Sequence, residues 1–280
     1  MGGNDDDTVL SDPNIVLVNI QGGDGEDSIT NLSNWTTIDG GDDSDIIRNY
    51  YAQNVVMGGG EGTDILANYG ENVTMLGGED ADYFYNYSSN VNIGGGDGND
   101  TIYSAVNLIY ISVEGGAGND AFEHYSNWSA IFGGAGNDNI TLKSQASNLW
   151  VEGGDDSDNI YNYASNVTMD GGSGNDSIHP YGDNQTIIFY NNQGHDHIWW
   201  HEYSSDWSNL TVYIPNASIA DIQYTTSSEI VFNSASSITF SSSSSSSTIL
   251  YDGLSKVNTF KFSDNKEYKY DSSSSSFVEK

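Results

Sequence analysis

Gly-Gly-x-Gly-x-Asp recurs eleven times between Gly2 and Asp196, every 18 to 20 residues. The best-formed copies are GGDGND at 95–100, GGAGND at 115–120 and 133–138, and GGSGND at 171–176. Looser copies begin at Gly2, Gly22, Gly40, Gly59, Gly77, Gly153 and Asn191. The sixth place is aspartate every time: Asp7, Asp27, Asp45, Asp64, Asp82, Asp100, Asp120, Asp138, Asp158, Asp176 and Asp196. An apolar residue follows two places later, from Val9 and Ile29 through to Ile178 and Ile198. One such hexamer is an ordinary turn sequence. Eleven in phase form a repeat, and a unit this short buries its apolar residues only by stacking on its neighbours.

Each period holds two short strand signals separated by two turns. One follows the motif aspartate, as in Asp100-Thr-Ile-Tyr and Asp158-Asn-Ile-Tyr; the other precedes the next glycine pair, as in Asn72-Val-Thr-Met, Asn90-Val-Asn-Ile and Asn166-Val-Thr-Met. Alternation turns Val73 with Met75, and Val167 with Met169, to one face and sends the threonine between them outward. The expected fold is all-β: a parallel β-roll or β-helix solenoid of about eleven coils over residues 1–200, with a small β cap over 201–280. At ~4.8 Å per coil the solenoid would be roughly 50 Å long. The glycines suit turns that need positive φ and close backbone approach. Asp5, Asp43, Asp80 and Asp156 replace the third glycine, at a place where aspartate is tolerated better than most residues.

The second turn differs in kind. It carries Asn49-Tyr50, Asn68-Tyr69, Asn86-Tyr87 and Asn162-Tyr163, followed by Asn54, Asn72, Asn90 and Asn166. Beside them, Val55, Val73, Val91, Leu149 and Val167 stand where the motif has aspartate. One edge is thus a column of carboxylates and the other a column of amides and phenols. The spaced tyrosines (Tyr50, Tyr69, Tyr87, Tyr125, Tyr163, Tyr181) admit two readings. Asparagines can form hydrogen-bonded ladders with tyrosines stacked over the turn, or the edge can bind a glycan or protein. An ice-binding face is not indicated, because the outward positions mix Asp, Glu, Ala and Asn.

The chain has 40 acidic and 7 basic residues, a formal charge of −33. Nucleic acid and anionic membranes both require a basic surface, so cations are the natural partners. Carboxylates stacked ~5 Å apart repel by about 1 kcal/mol per neighbour in water, and more when partly buried. Calcium accepts six to eight oxygen ligands in irregular geometry, which carboxylates and turn carbonyls can supply; magnesium demands a tighter octahedron. Zinc and copper favour His or Cys, which the repeats do not offer systematically. The acids at the third motif position (Asp24, Asp42, Glu61, Glu79, Asp97, Asp155) are read as solvated outward charge.

Over residues 2 to about 198 the chain resembles the RTX, or haemolysin-type calcium-binding, repeat family. The resemblance implies that each motif aspartate, with carbonyls of the glycine-rich turn, shares a calcium with the matching turn next door. Asp100 would pair with Asp120, and Asp120 with Asp138. The best-formed turns would contribute Gly95, Gly96, Gly98, Gly115, Gly116, Gly118, Gly133, Gly134, Gly136, Gly171, Gly172 and Gly174. Eleven turns leave up to ten sites between neighbours. Family members often carry the motif on both edges; here it occupies one.

No H-E-x-x-H, G-x-S-x-G or P-loop occurs, and equivalent carboxylates do not supply the unlike pair that acid–base catalysis needs. No catalytic residue is assigned. The run from His195 to Glu202 (His-Asp-His-Ile-Trp-Trp-His-Glu) is read as a degenerate last coil, because repeat phase predicts a strand there. Cysteine is absent, no apolar run reaches about 18 residues, and the start MGGNDDDTVL has no cleavable-signal pattern.

After residue 200 the segments Ser218–Tyr224, Ser228–Phe232 and Ser237–Phe240 read as antiparallel strands, then a serine loop at 241–247, strand signals at Val257–Phe262 and Glu267–Tyr270, and a serine-rich tail at 272–276. This layout is similar to the haemolysin-type calcium-binding-related domain, with Asn265 where that family usually has glycine. The resemblances imply a secreted or cell-surface bacterial protein exported through an uncleaved C-terminal signal. The expected function is a calcium-binding module that folds on binding calcium and acts structurally or adhesively. The alternatives are a ligand-binding module using the Asn/Tyr edge, or the export and folding appendage of a secreted enzyme.

Overall fold

The computed structural model describes residues 2–190, 193–200, 209–218, 220, 222–225, 229–232, 237–242, 257, 259–264, 266–271, 273–274 and 276–280. The chain is all-β, built of parallel stacked coils that form a β-solenoid of about 10 turns. It divides into two compact units, Met1–Asp138 and Asn139–Lys280.

In the first unit every coil gives one strand to each of two parallel sheets. Sheet A stacks Thr8–Leu10, Ser28–Asn31, Ile46–Asn49, Ile65–Asn68, Tyr83–Asn86, Thr101–Ser104 and Ala121–His124. Sheet B stacks Asn19–Asp24, Thr37–Asp42, Val55–Glu61, Val73–Glu79, Val91–Asp97, Ile111–Ala117 and Ala130–Ala135. Register follows the repeat, with Val91 opposite Val73 and Ile111, and Ile93 opposite Met75 and Val113. Ile29, Ile47, Leu66, Phe84, Ile102 and Phe122 enter the core from sheet A; Val55, Met57, Val73, Met75, Val91 and Ile93 meet them from sheet B, all buried. Burying such side chains contributes about 1.5–3 kcal/mol each before chain entropy is subtracted.

Sheet B strands run further than alternation predicts. They continue through the glycine pair to the third motif position, so that Gly96 pairs with Gly78 and Gly116 and Asp97 with Glu79 and Ala117. Two adjacent glycines read as a turn because glycine weakens strand interiors. Here Gly96 has φ 114°, and the carbonyl of Gly78 would lie 2.2 Å from any Cβ on it. Asp43, Asp80 and Asp156 do adopt left-handed backbone (φ 75°, 72° and 73°), as expected; Asp5 does not.

The second edge is a ladder of buried amides. Asn31 Nδ2 donates to Asn49 Oδ1 (2.9 Å), Asn49 to Asn68 (2.9 Å) and Asn68 to Asn86 (3.1 Å). Each amide also turns back on its own corner: Asn68 donates to the Gly70 carbonyl at 2.8 Å and accepts from Gly70 N–H at 3.0 Å. Tyr50, Tyr69 and Tyr87 stack outside it, with ring centroids 5.2 and 4.8 Å apart and planes within 11° and 6°. The ladder reading of this edge therefore holds for these coils. It stops at Ser104 and His124, whose Oγ and Nε2 are buried without hydrogen-bond partners. Asn54, Asn72 and Asn90 begin the sheet B strands in left-handed backbone, φ 59°, 58° and 57°.

The second unit repeats this plan. Asn139–Leu142, Asn159–Asn162, Ser177–Pro180, His195–Trp200 and Ser237–Ser242 pair in one parallel series. Ser147–Asp155, Ser165–Ser173, Gln185–Ile188, Thr211–Ile214 and Thr259–Phe262 form the other. Each series ends in antiparallel strands: Glu229–Phe232 with Ile222–Thr225, and Glu267–Asp271 with Ser276–Glu279. Phe277 packs edge-on against Phe260, Phe262 and Tyr270. The end of the predicted serine-rich tail is thus a strand, because Phe277 has a core to enter. Asn265 and most of the 241–247 loop lie outside the described residues.

Asn68→Ala should cost about 3 kcal/mol, since it leaves several buried partners unsatisfied. Asn54→Ala removes only a tolerant left-handed residue and should cost about 1 kcal/mol. Urea unfolding of the two variants side by side measures the difference.

Candidate metal centre

Parallel register brings the motif aspartates into one column in each unit, and their side chains turn inward. Asp27, Asp45, Asp64, Asp82, Asp100 and Asp120 are at most 2 % exposed. One oxygen of each carboxylate is spoken for. The backbone N–H of each motif aspartate donates to Oδ1 of the next: Asp7 to Asp27, Asp27 to Asp45, and so on through Asp120 to Asp138, all at 2.7–2.8 Å. In the second unit Asp158 N–H donates to Asp176 at 2.9 Å and Asp176 N–H to Asp196 at 3.1 Å. Asp100 and Asp120, and Asp120 and Asp138, are thus joined by a backbone hydrogen bond.

The residue before the aspartate clamps the coils in the opposite sense. Asn99 Oδ1 accepts from Asn119 N–H at 2.6 Å, and Asn119 Oδ1 from Asn137 N–H at 2.7 Å. Asp6, Ser44 and Asn175 do the same for Glu26, Thr63 and His195. Position five reaches forward and position six is reached from behind. Sequence reading missed the first of these clamps; the run of Asn, Ser and Asp before the motif aspartate was its signal.

The second carboxylate oxygen has no such partner. Oδ2 of Asp27, Asp45, Asp64, Asp82, Asp100 and Asp120 is buried and accepts no hydrogen bond. It faces the first glycine of its own motif. A Cβ on Gly77 would lie 2.0 Å from Asp82 Oδ2 and 2.4 Å from the Gly95 carbonyl; on Gly95 it would lie 2.1 Å from Asp100 Oδ2 and 2.3 Å from the Gly115 carbonyl. Only glycine leaves these oxygens room to converge. Gly115 and Gly171 face Asp120 and Asp176 in the same way, and Gly98, Gly118, Gly136 and Gly174 shape the following turn in positive φ. Gly96, Gly116, Gly134 and Gly172, also in positive φ, pack against the carbonyl of the preceding coil's equivalent glycine, while Gly133 is buried.

Burial is the largest influence on these carboxyls. It pushes Asp64, Asp82 and Asp120 up to about 7 and Asp45 and Asp138 up to about 6, against the lowering effect of the backbone N–H bond. Asp100 is raised for the same reason. Burial and then the Asp176 charge push Asp196 up to about 8. A buried carboxylate with one oxygen lacking any donor must bind a proton or a cation. The donors, carboxylate and backbone carbonyl, are hard oxygens of the kind calcium takes. Among the described residues no three His, Cys, Asp or Glu side chains form a cage, so backbone oxygens must complete any coordination sphere. The third-position acids Asp24, Asp42, Glu61, Glu79, Asp97 and Asp155 are exposed, as read from the sequence.

His195 and Asp196 lie on the strand His195–Trp200, where repeat phase places them; His195 Nδ1 is 2.9 Å from Ser237 Oγ. His201 and Glu202 lie outside the described residues, as does Asn191. In comparison with known proteins, no family model matches this chain and no curated protein matches it. Among the described residues no helix is long and apolar enough to cross a membrane.

The raised carboxyls set a pH dependence for the metal-free chain. Their unfolded value is near 3.8 and the folded value of Asp64, Asp82 and Asp120 about 7, so between these limits the native state holds more protons than the unfolded state. Stability must then fall as pH rises from about 4 to about 7. Urea unfolding in chelator should give a lower midpoint at pH 7.5 than at pH 4.5; equal midpoints would contradict the burial of these groups.

Proposed function

We propose that this chain is a calcium-binding repeat module whose coils are locked by calcium along the aspartate column, with a structural or adhesive role in a secreted or cell-surface setting. The observation that carries this reading is the row of buried Oδ2 atoms from Asp27 to Asp120, which lack a donor and face the glycine turns. Asp27 through Asp120 in one unit, and Asp158, Asp176 and Asp196 in the other, would hold the ions with carbonyls of their glycine turns. Calcium would supply positive charge where the fold has gathered carboxylates, and binding would add directly to folding free energy. Affinities of ~10⁻⁴–10⁻³ M, the range of extracellular modules, would leave the chain loose where calcium is scarce and rigid where it is plentiful. The lack of a catalytic constellation among equivalent carboxylates favours a non-enzymic role, and the RTX resemblance favours export.

Asp82→Asn separates this reading from plain turn chemistry by having effects of opposite sign. In chelator the variant should unfold at higher urea than the parent, since the amide is neutral and can donate toward the Gly95 carbonyl. In millimolar calcium it should gain less stability and bind fewer ions by calorimetry. A parent protein whose circular dichroism and melting are the same in chelator and in calcium would sink the proposal.

A further inference from the structure

The corner residue that starts each sheet B strand is left-handed throughout the first unit, and asparagine holds it in three successive coils, at Asn54, Asn72 and Asn90. Tryptophan holds it twice, at Trp35 (φ 59°) and Trp128 (φ 53°). Both stand in the same frame, Ser33-Asn34-Trp35-Thr36 and Ser126-Asn127-Trp128-Ser129. The frames share a serine bond to the preceding coil and differ in where the second hydroxyl donates. Ser33 Oγ donates to the Asp12 carbonyl of the preceding coil at 2.6 Å, and Ser126 Oγ to the Ala105 carbonyl at 2.9 Å. Thr36 Oγ1 donates back to the Ser33 carbonyl at 2.6 Å, and Ser129 Oγ to the Asn127 carbonyl at 3.0 Å. Thr36 and Ser129 are buried where neighbouring coils place Val55, Val73 and Val91. The left-handed corner itself turns the indoles outward: Trp35 is 58 % and Trp128 59 % exposed, beside Leu17 at 79 % and Tyr110 at 60 % in the same column.

Each of these choices opposes stability. A bulky residue in left-handed backbone costs about 1–2 kcal/mol, and a hydroxyl in place of a buried valine forfeits apolar burial. The chain nevertheless makes the same set of substitutions at both places. Between the two indoles lie Tyr50, Tyr69 and Tyr87, whose faces are covered by one another and which present edges and hydroxyls; Tyr103 and Tyr125 continue the row at 5.9 and 5.7 Å. Trp35 and Trp128 make no ring contact among the described residues, so their faces are available. The two are five coils apart, roughly 24 Å at the spacing of paired strands.

This strip is nearly uncharged. Segments 12–17, 33–36, 50–54, 69–72, 87–90, 105–110 and 125–128 contain two charged residues, Asp12 and Glu71, in a chain with 40 acids. A partner for it must be neutral, linear and able to offer both apolar faces and hydroxyl groups. We propose that the strip binds a linear neutral polysaccharide, with Trp35 and Trp128 as stacking platforms for sugar rings and the tyrosine hydroxyls as hydrogen-bonding partners between them. Stable protein interfaces want a contiguous apolar core, whereas Asn54, Asn72 and Asn90 divide this column into one apolar group at Leu17 and Trp35 and another at Tyr110 and Trp128. The exposed Ile15 and Val16 beside Trp35, and Val106 and Ile109 beside Trp128, extend each platform and make a second copy of the chain the main competitor. The proposal needs the solenoid fold and is independent of calcium binding.

The test is calorimetric titration of the full chain with β-1,4-linked hexasaccharides of glucose, mannose and xylose, and with hexagalacturonate as the charged control. At least one neutral hexamer should bind saturably and the charged one should not. Trp35→Ala and Trp128→Ala should each weaken binding about tenfold or more, with circular dichroism unchanged because both side chains are exposed. Tyr69→Phe keeps the stack and should weaken binding by less. Absence of binding by every neutral hexamer at millimolar concentration would overturn the proposal, as would binding indifferent to both tryptophans. A dimer in sedimentation that dissociates in the Trp35→Ala, Trp128→Ala double variant would assign the strip to a second copy and overturn it equally.

Discussion

A carboxylate accepts hydrogen bonds and donates none, and this fact governs the aspartate edge. Parallel register stacks identical side chains, so what one interior coil lacks its neighbours lack as well. At each aspartate the preceding coil supplies one backbone N–H, to Oδ1. From Asp27 to Asp120 no donor reaches Oδ2, although in the first coil Gly3 N–H donates to Asp7 Oδ2 at 2.9 Å. The deficit is copied along the column, and it can be met only by protons or by cations shared between coils.

The amide edge is the counterexample within the same coils. A carboxamide is donor and acceptor at once, so Asn31, Asn49, Asn68 and Asn86 pass a hydrogen bond from coil to coil and close their corners with the remaining valences. One edge is complete in itself and the other is complete only with something added. Two columns that differ by an oxygen for an NH2 group thus give a scaffold with one autonomous side and one conditional side. Ser104 and His124 show the cost of leaving the amide pattern: both keep a buried polar atom without a partner, and burial pushes the His124 imidazole down to about 4.

The fold class was legible because the motif phase and the alternation of Val73 with Met75 both encode parallel stacking. The inward apolar residues and the outward third-position acids followed from the same phase. What could not be read was the orientation of the aspartates. Asp82 in a glycine turn carries no local sign of burial, and only coil-to-coil stacking reveals that the Asp64 N–H draws it inward. Likewise Gly96 looks like a turn residue, yet lies in a strand, because pairing across coils overrides local preference. The Trp35 and Trp128 frames were present in the sequence, but their importance depends on knowing which corner positions are left-handed and exposed.

The paired clamps at motif positions five and six also determine where such a chain can change length. Bonded to both neighbours, those turns tolerate no insertion without breaking register along the column. In the first unit the spacing varies only at the opposite corner, which spans 12–16 and 105–109 in the longer coils but 32–34 and 87–89 in the shorter. Duplication of whole coils preserves every clamp, and drift in loop length is confined to one side. Such a chain keeps its aspartate column intact and varies on the far edge, where the tryptophans stand.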